Sequence, residues 1–288
     1  MATGAGEYID ATTAASFVPE IWSKITIVAR ESKLLMAELV DRRFEKDVMA
    51  FGDTVRINDI SNLTVQSKAL SDNAATLYET VTESTQSLTI ATWHYQAIAI
   101  ETATKKQVNL DLLKAYGPKQ QYALAQAVDD VLAGLIDNFS QIEGALLANL
   151  TDENWRRGIQ YLDDADAPAD NRYALVSAAE KNGLTGLDHF VHGDYSKINA
   201  DVNANTKSHA LGTWRGVTFF WSTNVEGTNA AGHDNGIWHR EALALVMQME
   251  PTTHAFFDID SFTFKVAVEQ LSGTKEIRDN HGVFMQGM

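Results

Sequence analysis

Leu88–Ile136, LTIATWHYQAIAIETATKKQVNLDLLKAYGPKQQYALAQAVDDVLAGLI, changes its hydrophobic period part-way along. Apolar and polar residues first alternate, which predicts a strand over roughly Tyr95 to Ile100. The period then becomes helical. Val128, Leu132, Leu135, Ile136, Phe139 and Ile142 fall on one stripe, and Pro118 suits a helix start. A helix from Pro118 to about Leu147 would be roughly 45 Å long at about 1.5 Å per residue, longer than most globular helices. Gln120, Gln121, Asp129 and Asp130 fall on the opposite face, assigned to solvent. The helix reads as a spine on which other elements lie.

Upstream, from Gly52, Val55 and Ile57 alternate with Thr54, Arg56 and Asn58, a half-buried strand. Over 60–92, Leu63, Val65, Leu77, Val81, Leu88 and Ile90 interleave with threonines, around the turn-like KALSDNAA of Lys68–Ala75. This predicts a long hairpin. A two-stranded ribbon is only marginally stable alone, so something else must pack on it. Further upstream, residues 1–16 are small and hydroxylated and read as an arm. Ser16 and Pro19 then open a helix carrying Val18, Ile21, Trp22, Ile25 and Val28 on one face. A second apolar group, Leu34, Leu35, Leu39 and Val40, sits in a helix-prone stretch, with Arg42–Arg43 in its last turn.

Downstream, a short helix is predicted over Asp152 to Leu162 with Trp155, Ile159 and Leu162 inward, followed by a loop over Asp163 to Asp170. Residues 172–250 read as mixed α/β. The expected elements are a strand at Tyr173–Ser177, a helix near Tyr195–Val202, a hairpin at Leu211–Ser222, a mobile loop at Thr223–Gly236 and a strand at Ile237–Met247. Ser261–Gln270 alternates strictly, and Gly273 separates it from a last strand near Glu276–Arg278.

With 288 residues, 45% of them hydrophobic, the chain can bury a core and is not a disordered polymer. Its net charge of −15 argues against a nucleic-acid reader, which needs a basic face to displace counterions, and against an anionic membrane surface. Absence of cysteine excludes disulfides, thiolate metal sites and cysteine nucleophiles. No apolar run reaches the length of a membrane span. The first 16 residues lack the basic and apolar regions of a secretory signal.

Catalytic signatures are sparse. No GxGxxG, GxxxxGK[ST], HExxH or GxSxG occurs. His189 and His192 stand three apart in HFVH, and His233 and His239 flank a loop, but no acidic partner stands at motif spacing. The acidic groups at 129–130 and 163–166 fit no calcium loop. The six tryptophans are dispersed and read as core or interface anchors. An arm, a projecting ribbon and a long helix expose surface that one subunit cannot bury, and neighbouring copies cover such surface.

The order of these parts resembles the major capsid protein of tailed bacteriophages, the Hong Kong 97-like fold. FVPEIWSKITIVARESKLLMAELVDRRFE (Phe17–Glu45) is similar to that family's N-terminal arm helix, and FGDTVRINDISNLTVQ (Phe51–Gln66) to the start of its extended loop. Leu88–Ile136 resembles the loop's return strand, the peripheral-domain strand and the spine helix. RYALVSAAEKNGL (Arg172–Leu184) and GTWRGVTFFWSTNV (Gly212–Val225) look like parts of the axial domain.

The resemblance implies an α+β fold with residues 1–48 as N-terminal arm, 49–92 as extended loop over an adjacent subunit, 93–150 and 256–288 as peripheral domain, and 151–255 as axial domain. It implies a structural protein, not an enzyme, with no cofactor and no metal. Pentamers and hexamers of the chain would form an icosahedral virion shell around double-stranded DNA held without sequence-specific contacts. The acidic balance suits an inner wall that does not adhere to that DNA. A separate scaffolding protein, a portal protein, host-cytoplasmic assembly and no membrane partner belong to the same expectation. Trp22, Ile25 and Leu77 are expected as interface anchors, with Lys68, Glu79 and Glu83 setting register. Lys68 alone near the loop tip does not imply the family's lysine–asparagine cross-link. Two alternatives remain: an encapsulin-type compartment shell, and a hydrolase built on the histidines.

Overall fold

The computed structural model describes residues 34–48, 52–60, 63–68, 75–76, 78–81, 83–107, 112–187 and 209–288. Two one-turn helices, α1 (Met36–Leu39) and α2 (Glu45–Val48), precede an antiparallel ribbon of β1 (Thr54–Ile60) and β2 (Glu83–Thr89). Strand β3 (Thr92–Glu101) leads through α3 (Thr102–Gln107) to the long helix α4 (Leu112–Ala133). A 3-10 turn at Ile136–Asn138, β4 (Ile142–Gly144), α5 (Asp152–Asp164), β5 (Arg172–Val176) and α6 (Ala178–Leu184) follow. The remainder is β6 (Ala210–Trp214), β7 (Val217–Trp221), β8 (Gly227–Thr228), β9 (Gly232–His239), β10 (Leu243–Asp258), β11 (Thr263–Glu276) and β12 (Gly282–Gly287).

These strands build two sheets besides the ribbon. The larger runs β4-β12-β9-β5-β7-β6, with β8 on β9; the smaller runs β10-β11-β3 and is antiparallel throughout. Strand periodicity sorts the larger sheet's side chains onto two buried faces. Ala174, Val176, Val217, Phe219, Ile237, Val283 and Met285 meet Trp155, Ile159 and Leu162 of α5 and Leu184 of α6. Leu175, Phe220, Trp238 and Phe284 point the other way, onto Leu35, Met36 and Leu39 and the end of α4. Helix α5 starts where expected because Thr151 caps it: the Thr151 hydroxyl accepts the Asn154 N–H (3.3 Å), and the Asn154 side-chain Oδ1 accepts the Thr151 N–H (3.0 Å).

Several expectations are corrected. Helix α4 begins before Pro118 and stops at Ala133, so it is shorter than 45 Å would require. The apolar stripe outlives the helix: after Gly134, Ile136 and Phe139 drop onto the larger sheet beside Gly236 and Gly282, where a Cβ would meet them. Asp129 is buried, not solvated, and accepts the N–H groups of Leu35 (3.1 Å) and Met36 (2.7 Å) and the Asn224 amide (3.3 Å). Arg43 lies outside any helix and pairs with Asp41 (2.7 Å) and Glu241 (3.0 Å).

The Thr223–Gly236 stretch holds β8 and the start of β9, since its glycines allow a tight hairpin. The Ile237–Met247 strand is two strands, broken at a 3-10 turn, Arg240–Ala242, where the chain passes from one sheet to the other. Gly273 is inside β11, where a Cβ would lie 2.7 Å from the Thr89 carbonyl oxygen, and the last strand is β12. Strands β4 and β12 lie in the larger sheet, and β10 joins the smaller from Leu243 onward. The expected helix near 195–202 lies outside the described residues.

Candidate assembly surfaces

The ribbon is anchored firmly at its base. Leu88 and Ile90 are buried with Ala244 and Val246, and Phe44, Val55, Leu271 and Ile277 pack around them. The Gln86 amide donates to the Ile277 carbonyl (2.9 Å), Lys275 Nζ to the Ser87 carbonyl (2.7 Å), and the Gln248 amide to the Gly52 carbonyl (2.8 Å). Beyond the Ile60–Glu83 pair the described ribbon residues leave the ladder, and their apolar side chains are bare. Val65 is 97% exposed and Tyr78 93%, with Leu63 and Val81 also open. A base packed on the smaller sheet with uncovered apolar side chains on its outer limbs is suited to reaching something outside the subunit.

The predicted site residues divide as follows. Glu79 carries a carboxylate oxygen that accepts the Thr64 N–H at 2.9 Å, tying together the two outer limbs of the ribbon. Glu83 is exposed at the start of β2, opposite Ile60, and Lys68 is exposed on the outer limb. Trp22, Ile25 and Leu77 lie outside the described residues, as do His189 and His192. Among the described residues no cluster of histidines and carboxylates is arranged to hold a metal, and no helix is long and apolar enough to cross a membrane.

A second surface is on the smaller sheet, whose open face carries large exposed aromatic side chains. Helix α4 covers the face carrying His94, Gln96, Val266, Val268 and Gln270. Polar groups there find partners under the helix: the Gln270 amide donates to the Leu124 carbonyl (2.8 Å), and the Gln120 amide donates to the Gln96 carbonyl oxygen. The open face holds the aromatics. Trp93 is 64% exposed and Tyr95 73%, and Phe256 is exposed two strands away. Glu269 lies between them, accepting from Trp93 Nε1 (2.9 Å) and facing His254 Nε2 (3.0 Å), which holds the rings in place. Ile259 and Phe262, also exposed, extend the patch to the β10–β11 tip. Sequence reasoning assigned no role to this face, although the Trp93, Tyr95 versus His94, Gln96 alternation was its signal.

No family model matches the chain, and no curated protein does. Solved structures do. A structure from Mycobacterium phage Che8 superposes with a TM-score of 0.78 at 22% identity, covering 93% of this chain and 97% of that one. The capsid structure of Cyanophage P-SCSP1u gives 0.74 at 10% identity, covering 99% and 95%. The asymmetric unit of the bacteriophage PhiM1 mature capsid gives 0.70 at 14%, covering 99% and 96%. At these identities the likeness is one of fold: the chain has the α+β fold of phage major capsid proteins along almost its whole length.

Proposed function

We propose that this chain is the major structural subunit of a phage capsid, a non-enzymatic protein that assembles with copies of itself into pentamers and hexamers of an icosahedral shell around double-stranded DNA. The observation that carries the reading is the coincidence of a capsid fold with two apolar surfaces that the single chain leaves bare, the ribbon tip and the Trp93–Tyr95 sheet face. In the proposed shell the ribbon of one subunit lies over its neighbour. Leu77 serves as an anchor there, and Lys68, Glu79 and Glu83 fix the register. Trp22 and Ile25 of the arm reach a further copy.

The proposed division takes 1–48 as arm, 49–92 as extended loop, 93–150 and 256–288 as peripheral domain and 151–255 as axial domain. A scaffolding protein, a portal ring and assembly in the host cytoplasm complete the proposal. Burying a few hundred Å² of apolar surface at about 25 cal/mol per Å² contributes on the order of several kcal/mol per contact, before association costs. Repetition in a closed symmetric array makes the sum large.

Deleting Ser67–Ala75 tests the ribbon's part. The variant is expected to remain a folded, soluble subunit that forms no shells in electron micrographs. Normal closed particles from it would refute the assignment.

A further inference from the structure

The chain passes between the smaller and the larger sheet three times: through α4 into β4, from β9 into β10, and from β11 into β12. The latter two passages are 3-10 turns, Arg240–Ala242 and Asp279–His281, packed against each other. Each carries a buried histidine. His239 precedes the first turn, His281 ends the second, and their rings meet edge to face with centroids 5.9 Å apart. The passages are further joined by Ile277 N–H donating to the Ala242 carbonyl at 2.7 Å.

We propose that His239 and His281 form an acid-released latch across these two passages, closed while both rings are neutral and opened when they take up protons. The chemistry follows from the hydrogen bonding. His239 Nδ1 accepts the Glu241 N–H at 3.3 Å and so caps the Arg240–Ala242 turn. That bond requires an unprotonated Nδ1, which places the neutral ring's proton on Nε2. A second proton must therefore arrive at the capping nitrogen and break the cap. His281 Nδ1 is buried without a hydrogen-bond partner, so a proton added there has no acceptor waiting.

The surrounding charges act differently on the two rings: at His239 the acids Glu241 and Asp170 outweigh the arginines, whereas at His281 Arg278 and the neighbouring His239 outweigh Glu241. Arg172, 4% exposed, and Arg278 face the pair. Arg172 is held by Asp163 of α5 at 2.6 Å and by the carbonyl groups of Ala167 and Pro168. Glu241 and Asp170 are the acids acting on His239, and Glu241 also acts on His281; Glu241 is already engaged by Arg43, itself paired with Asp41. Arg240 donates to the Val40 carbonyl at 3.2 Å. Asp279, in the second turn, accepts the Ser140 N–H (2.7 Å) and faces Glu276. Burial holds both imidazoles below the ordinary histidine value of 6.5, against the pull of Glu241 and Asp170 at His239 and with the help of Arg278 at His281. Above pH 6.5 the rings are neutral in folded and unfolded chains alike, and stability is lost as pH falls below it, where the unfolded chain takes up protons that the closed fold resists. Protons have a route in, since His239 lines an open groove of about 460 Å³ with Asp170, Asn171, Arg240 and Glu241.

The latch goes beyond the shell reading and does not need it: the test uses the full chain as a subunit in solution. Amide hydrogen exchange, corrected for the intrinsic pH dependence, is compared at pH 7.5 and 5.0 for peptides spanning 240–243 and 279–282. Protection is expected to fall threefold or more in the wild type. It should fall less than threefold in His239→Asn/His281→Asn, where the asparagine oxygen replaces the capping acceptor and cannot titrate. A smaller loss in the wild type, or an equal or larger one in the variant, overturns the latch. If the variant does not fold, ring titration of the wild type by NMR decides: both imidazoles are expected to titrate below 6.5, and a value at or above 6.5 for either overturns it.

Discussion

Gly282 sits where only a hydrogen fits. A Cβ at this position would overlap the Phe139 ring, which lies across the β12 backbone because the chain turns down onto the sheet after α4. Gly282→Ala is expected to cost about 1–3 kcal/mol through overpacking, read as a lower midpoint in thermal unfolding, and an unchanged midpoint would show that Phe139 can move aside. Glu276 offers a titration of opposite sign to the histidines. Burial and the neighbouring Asp279 raise its carboxyl from 4.5 to about 7. The folded chain then holds a proton that the unfolded chain has lost, so this stabilisation is complete below about 4.5 and disappears as pH rises through about 7. Glu276→Gln should therefore gain stability over the wild type at pH 8 and much less at pH 5, measured by denaturant midpoints. Equal differences at the two pH values would remove Glu276 as the cause. Neither the Gly282 contact nor the burial of Asp129 was legible in the sequence. The partners of both are distant along the chain, Phe139 for Gly282 and Leu35 and Met36 for Asp129, and a periodic pattern reports only which face a residue shares with its near neighbours.

At the scale of elements, periodicity was legible where burial is one-sided. Strand β3 alternates, α5 carries Trp155, Ile159 and Leu162 on one face with a capping residue before them, and β6 and β7 form a hairpin. Boundaries were lost where the core continues past the element: Ile136 and Phe139 extend the stripe of α4 into a turn, and Leu243 and Ala244 extend the apolar run of β9 through a passage between sheets. The open face of the smaller sheet was hidden because aromatic residues at every second position look like a buried face, and only the position of α4 shows which side is covered. Tyr95→Glu tests that face. A charge on an exposed strand position should change subunit stability by no more than about 0.5 kcal/mol, while assembly, followed by size-exclusion chromatography and microscopy, should fall by tenfold or more. Unimpaired assembly would show that nothing docks there.

At the scale of the whole molecule, two sheets share one spine helix, and a ribbon packed at its base carries exposed apolar side chains on its outer limbs. The α+β class and the order of parts could be read from the sequence; the assignment of strands to sheets could not, because it is made by pairings between residues far apart, such as β12 with β9 and β3 with β11. The proposed shell requires that the bare surfaces be covered by other copies. Electron microscopy of the full chain, concentrated alone and with the proposed scaffolding protein, measures this most directly. Closed hollow particles are expected, with subunits in rings of five and six and the ribbon of each seated on its neighbour. A protein that stays a single subunit under every condition, or particles that leave the ribbon tip and the Trp93–Tyr95 face in solvent, would contradict it.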